Sequence, residues 1–154
     1  MTTELLVRAQ PLGEAQEFGH LYAEVQQFYS RQMQLFDAHD AERWAATFTE
    51  DAVFDVPTLE APVRGREGLV ANVRRNAAQY ERSGERLRHW IGMLDVSPGR
   101  DGELRARAYA LVYVTPRGGT SRVLRVCVME DALVRVRGKW RTRHRVVTRD
   151  DLAP

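Results

Sequence analysis

The sequence predicts an α+β domain with three N-terminal helices packed on a curved antiparallel sheet around a central apolar pocket. Three observations carry this. Apolar residues recur at three- and four-residue intervals in the first half of the 154-residue chain, the second half alternates with a period of two, and no helical stretch separates the later strands. Parallel βαβ units would need helices there, so the later strands form an antiparallel meander and the N-terminal helices must cover it.

Taken in order, residues 1–13 lack periodicity and read as a flexible N-terminal arm before a single domain over residues 14–150. From Glu14, the series Phe18, Tyr22, Val25, Tyr29, Met33 and Phe36 makes one apolar stripe on a long helix. A short second helix follows, with Asp40 as N-cap and Trp44 and Phe48 one turn apart on its buried face. Residues 52–56 read as a short strand and 57–65 as a loop punctuated by prolines and a glycine. A third helix spans 66–82, with Leu69, Val73, Ala77 and Tyr80 on one face and Gly84 beyond its end.

Everything after that reads as strand. Leu87, His89, Ile91 and Met93 alternate with Arg88, Trp90, Gly92 and Leu94, and the first set is expected to face inward. The turns SPGRDG and PRGG bracket a strand over 104–115, and a long strand covers 121–136. A bulge is expected at Glu130 and Asp131, where two acids interrupt the alternation. Arg137 and Gly138 turn the chain into a last strand over 139–148.

Composition narrows the function classes. A hydrophobic share of 44% with 29% charged residues is that of a folded domain, and no apolar run approaches the length that spans a bilayer. The start, MTTELLVRAQPLGE, has no basic region followed by an apolar stretch, so a cytoplasmic location is expected. Lone Cys127 has no disulfide partner, and its reading is a small buried hydrophobe on a strand. The net charge of +2 is small and the basic residues are interleaved with acids, so no nucleic-acid partner is expected.

No Gly-rich phosphate loop, GxSxG, HExxH or paired CxxC occurs, and His20, His39, His89 and His144 have no spacing that places two on one helical face. Neither a cofactor nor a metal is expected. His89 is the strongest single candidate, because it interrupts an apolar strand face and its imidazole would respond to burial and to a neighbouring carboxylate. Its plainer reading is a core histidine bonded to a backbone carbonyl. Asp37 ends the long helix, where the dipole disfavours an acid unless another group rewards it, and is the natural partner.

On the last strand, Trp140, Thr142, His144 and Val146 share one face and Arg141, Arg143, Arg145 and Arg149 the other. Strict alternation lets His144 or Arg149 face the pocket, and both only if a bulge lies between them; the arginine row reads as a solvated or dimer-facing surface. Tyr109 and Tyr113 could donate to a substrate carbonyl, and Ala106, Ala108 and Ala110 either leave room for a ligand or let a helix approach closely.

Four passages, YSRQMQLFDAHDAERWAATFTEDAVFDV, VRGREGLVANV, LRHWIGMLDV and VRVRGKWRTRHRVVTRDD, resemble successive signatures of SnoaL-like proteins in the nuclear-transport-factor-2-like superfamily, and cover most of residues 15–150. The resemblance implies a cone-shaped fold, which hosts polyketide cyclases, ketosteroid isomerase, scytalone dehydratase, bile-acid dehydratase and small subunits of ring-hydroxylating dioxygenases. FDAHD and RHWIG are most similar to the dehydratase branch, and this implies Asp37 and His89 as catalytic residues and Arg149 as a functional arginine. Where scytalone dehydratase has pocket tyrosines this chain has Phe36 and Val56, and an apolar residue near Val112 replaces a second acid of the bile-acid enzyme.

The resulting expectation is a cofactor-independent general acid/base enzyme, a dehydratase, cyclase or isomerase acting on an aromatic or polycyclic ketone in polyketide-type secondary metabolism. Asp37 and His89 would be catalytic, with Tyr29, Phe54, Val56, Tyr109, His144 and Arg149 around the substrate. The alternatives are a non-catalytic module that shelters an apolar ligand, or a structural protein like a dioxygenase small subunit. A homodimer is the family-level expectation, through an outer sheet face carrying Trp90 and Leu94.

Overall fold

A computed structural model describes residues 13–152, so the N-terminal arm expected over residues 1–13 lies, apart from Gly13, outside the described residues. The elements run α1 (Glu14–Asp37), α2 (Ala41–Ala45), β1 (Phe48–Asp55), β2 (Val63–Arg64), α3 (Gly65–Ser83), β3 (Glu85–Pro98), β4 (Leu104–Pro116), β5 (Arg122–Val136) and β6 (Lys139–Arg149), closed by a 3-10 turn at Asp150–Leu152. No helix among the described residues is long and apolar enough to cross a membrane.

The helices form where the apolar stripes lie. Val25, Tyr29 and Met33 bury one face of α1, and Leu69 and Val73 do the same for α3. Asp40 caps α2 by accepting from the Arg43 N–H. Gly84 ends α3 in the left-handed region at φ 71°, where a side chain would be strained, and its N–H returns to the Tyr80 carbonyl. Phe48 is not on α2: the chain leaves the helix after Ala45, the Thr47 carbonyl accepts from the Thr142 N–H, and Phe48 opens β1 instead.

The six strands form one sheet in the order β2-β1-β6-β5-β4-β3. It is mixed, not purely antiparallel as expected. The four-strand meander β3 to β6 is antiparallel throughout, but it brings β6 back alongside β1 in parallel, because β2 and α3 carry the chain across to the far edge in between.

Two bulges displace side chains from the faces that alternation assigns. In β3, Gly92 pairs with Tyr109 and Asp95 with Arg107, so Met93 and Leu94 together oppose Ala108. Met93 takes φ 51° and swings out to 80% exposure, while Leu94 turns in against the core, the reverse of the expected arrangement. In β6, His144 pairs with Ala132 and Thr142 with Leu133, leaving Arg143 unpaired. The bulge expected at Glu130 and Asp131 therefore falls on the partner strand, and β5 keeps strict alternation through buried Asp131.

Two apolar clusters hold the layers together. One packs Val25, Tyr29 and Met33 of α1 on Ala106, Ala108, Met129, Leu133 and Trp140 of the sheet, the small alanines admitting the helix. The other joins Trp44, Phe48, Phe54, Leu69 and Val73 among α2, β1 and α3, with Trp44 stacked 4.7 Å from Phe36 and edge-on to Phe48 and Phe54. Truncating a fully buried member such as Leu69 to Ala costs about 2 to 5 kcal/mol.

Candidate active site

Between the helical lid and the inner sheet face lies a cavity of about 450 Å³. Met33 and Phe36 of α1, Phe54 of β1, Val56 just beyond it, Leu87, His89 and Ile91 of β3, Val112 of β4 and Met129 of β5 give it an apolar wall. Asn72, Asn76 and Tyr80 of α3 close one side, and Arg125, Arg145 and Arg149 enter from β5 and β6. Ala110 also borders it, so the alanine row of β4 both admits α1 and leaves room for a ligand.

His89 stands on the inner face of β3, and Asp37 reaches it from the last residue of α1. The Asp37 carboxylate grips His89 twice, Oδ2 accepting the backbone N–H at 3.0 Å and Oδ1 lying 2.6 Å from Nδ1. An ionised carboxylate only accepts, so Nδ1 carries a proton and the neutral ring presents the Nε2 lone pair. The His89 side chain is 17% exposed and Asp37 7%, and Phe36 packs tilted against the imidazole with ring centroids 4.8 Å apart. This explains the acid at the C-terminal end of α1: what the helix dipole disfavours, two hydrogen bonds from His89 reward.

A second carboxylate-gripped side chain, a guanidinium in place of the imidazole, lies in the cavity wall. Arg145 of β6 sits directly across from Asp131 of β5; its Nε donates to Asp131 Oδ1 at 2.8 Å and its Nη2 to Oδ2 at 2.7 Å. Gln32 Oε1 also accepts from Nη2, and the Tyr29 hydroxyl donates to Asp131 Oδ2 at 2.8 Å. Burial works against the Arg145 charge, yet the charge and hydrogen bonds of Asp131 outweigh it and raise the guanidinium pKa above its ordinary value. Burial and then the Asp131 charge push the Tyr29 phenol well above its usual range, so Tyr29 stays a neutral donor.

The site residues expected from sequence divide accordingly. His89, Phe54, Val56 and Arg149 line the cavity. Arg149 is clasped by Asp151, Nε to Oδ1 at 2.9 Å. Tyr29 does not line this cavity; it borders a cleft of about 260 Å³ between α1 and β3 and serves the Asp131 network instead. Tyr109 faces away, 47% exposed on the outer sheet face beneath the Arg107 guanidinium, because the inward positions of β4 belong to its alanines and valines. His144 is absent from the cavity wall because the unpaired Arg143 reverses the face of everything after Thr142.

That same reversal turns Arg145, expected on a solvated row, into a buried residue at 2% exposure. Arg145 and Asn72 are the two buried polar cavity residues that sequence reasoning missed. The signals were present: Asn72 follows Leu69 by three positions on the buried face of α3, and Asp131 is an acid at an inward position that demands a cation. Burial raises the Cys127 thiol pKa, which keeps it protonated. Among the described residues no three of His, Cys, Asp and Glu gather into a group that could hold a metal ion.

Comparison with known proteins places this geometry. The SnoaL-like domain family matches residues 20–146. The structure of Aln2 from a Streptomyces species is 40% identical, the match covering 86% of this chain and 93% of that one with a TM-score of 0.79. A Catenulispora acidiphila protein, solved in complex with S-DNPA, is 37% identical over 86% of this chain and 96% of that one, with a TM-score of 0.75. ActVI-ORFA from Streptomyces coelicolor is 33% identical over 88% of this chain and 99% of that one, with a TM-score of 0.82. No curated protein matches. The helical lid, the curved mixed sheet and the cavity between them are the nuclear-transport-factor-2-like cone, and the chain belongs to the SnoaL-like family.

Proposed function

We propose that the protein is a cofactor-independent general acid/base enzyme, a dehydratase, cyclase or isomerase, acting on an aromatic or polycyclic ketone in polyketide-type secondary metabolism. One observation carries the reading: an imidazole clamped through Nδ1 by a buried carboxylate, on the wall of an apolar cavity large enough for a fused-ring substrate. Membership of a family that includes polyketide cyclases and dehydratases supports it, as does the relative solved in complex with S-DNPA.

In this mechanism His89 Nε2 takes the proton from a carbon next to a carbonyl. The C–H electron pair becomes the enolate double bond, and the carbonyl pair moves onto oxygen. Asp37 holds the ring orientation and stabilises the imidazolium. His89 then returns the proton to a leaving hydroxyl in a dehydration or ring closure, or to another carbon in an isomerisation. Apolar side chains such as Phe36, Phe54 and Ile91 exclude water and pack against the rings.

The test is exchange of the α-protons of β-tetralone in heavy water, followed by NMR. The native protein is expected to accelerate exchange, and His89→Ala to lose on the order of a hundred- to ten-thousand-fold of that acceleration. Tetralone binding without accelerated exchange would overturn the reading in favour of a binding module. A cytoplasmic location accords with the single, buried, protonated Cys127. The outer sheet face, with Trp90 at 67% exposure beside Met93, Tyr109 and Val126, is the proposed contact with a second copy, detectable as a dimer in sedimentation that Trp90→Glu dissociates.

A further inference from the structure

The base accounts for the proton but not for the negative charge that appears on the carbonyl oxygen. Phe36 and Val56 bring no hydroxyl to the wall and Tyr109 faces outward, so the one phenol among the described lining residues is that of half-buried Tyr80 on α3. Of the polar side chains that line the cavity, two are buried and keep donors unspent. Arg145 uses Nε and Nη2 on Asp131 and Gln32, and among the described residues its Nη1 bonds no protein group. Asn72, 5% exposed, makes no side-chain hydrogen bond among the described residues. A buried polar group without a partner is costly, and among the described residues the one fully sealed, unpartnered side-chain nitrogen or oxygen is Trp44 Nε1. The unspent atoms of Arg145 and Asn72 are therefore not sealed; they open onto the cavity that both residues line.

We propose that Arg145 Nη1 and the Asn72 amide form the oxyanion-binding donor pair of this site, receiving the substrate carbonyl oxygen while His89 removes the adjacent proton. The assignment rests on the general acid/base reading above and supplies its missing half. The two donors line one cavity from elements that share a neighbour: Arg145 pairs with Phe54 across the parallel β1–β6 ladder, and α3, which carries Asn72, packs on that same strand. The guanidinium is fixed before substrate arrives, clamped along one edge by Asp131 and held near the rings of Phe48 and Tyr29 at 5.2 and 5.9 Å. A donor that need not reorganise as the charge develops is the kind that stabilises it most. In the step itself the oxygen gains the carbonyl π pair and keeps it until reprotonation, and Arg145 transfers no proton, because Asp131 holds its charge in place.

The probe is β-naphthol, whose anion imitates an enolate and whose two protonation states differ in absorbance. All measurements use His89→Ala protein, so that imidazole contributes nothing and a failure of the base leaves the result unaffected. An apolar pocket alone favours the neutral phenol; the donor pair is expected to reverse this and bind naphtholate at least about tenfold tighter. Asn72→Leu should remove part of that preference. Arg145→Met with Asp131→Asn, which deletes both charges together and avoids an orphaned buried ion, should abolish it while neutral naphthol still binds. Equal affinity for the two forms, or a preference that survives the paired substitution, would overturn the proposal. Loss in the paired variant with no change in Asn72→Leu would overturn the Asn72 half of it.

Discussion

Asp37 with His89 and Asp131 with Arg145 are two versions of one arrangement bordering one cavity. In each, a buried carboxylate grips its partner residue through two hydrogen bonds, both from the guanidinium of Arg145 but one from the ring and one from the backbone N–H of His89, and leaves one side-chain nitrogen unbonded among the described residues. They differ in burial and in what the gripped group can do. The His89 pair is 17% and 7% exposed around an imidazole, a group that can move a proton; the Arg145 pair is 3% and 0% exposed around a guanidinium that keeps its charge. The carboxylate sets which side is open, and the identity of the gripped side chain decides whether that side moves a proton or offers a standing positive charge.

The comparison can be broken from its strongest end. Asp131→Ala strands the buried Arg145 charge, and the expected cost is about 3 to 5 kcal/mol of unfolding free energy in urea titrations. A loss under about 1 kcal/mol would mean that the pair is solvated rather than sealed. Asp37→Asn should act on rate instead, lowering tetralone exchange by about ten- to a hundredfold through lost ring orientation, with tetralone affinity nearly unchanged. The smallest effect belongs to a half-exposed pair, Arg143 with Glu103, whose side chains are 42% and 19% exposed.

Hydrogen bonding to Arg143 holds the Glu103 carboxyl below its usual range. Its stabilisation is therefore present above the ordinary glutamate pKa and fades as pH falls through the lowered folded value. Screening by solvent limits it to a few tenths of a kcal/mol, about 0.5 at most. Glu103→Gln should shift the urea midpoint slightly at neutral pH and not at all at pH values below the folded pKa.

Much of this was legible from the chain. The stripes of α1 and α3 follow from periodicity alone, since a three- to four-residue repeat of large apolar side chains has one low-energy placement against a sheet. Asp37 and His89 were legible because each breaks a local rule, an acid at the wrong end of a helix and an imidazole in an apolar row. The errors cluster at bulges. One unpaired residue, Arg143, moved His144 off the cavity wall and Arg145 into it, and the Met93–Leu94 bulge exchanged two more side chains. Alternation carries no mark of where a ladder slips; that depends on cross-strand demands such as Asp131 calling for a cation. The parallel β1–β6 pairing was hidden for a similar reason, because a meander's return to the first strand is set by connections and not by composition.

The central claim, that Asp37 fixes His89 as the Nδ1–H tautomer with Nε2 free for proton transfer, is tested most directly by nitrogen and proton NMR of the His89 ring in the ligand-free protein under conditions where the ring is neutral. The account predicts a protonated Nδ1 with a far-downfield, slowly exchanging proton, an unprotonated Nε2, and loss of that downfield signal in Asp37→Asn. A ring protonated at Nε2 instead, or a spectrum that Asp37→Asn leaves unchanged, would contradict it.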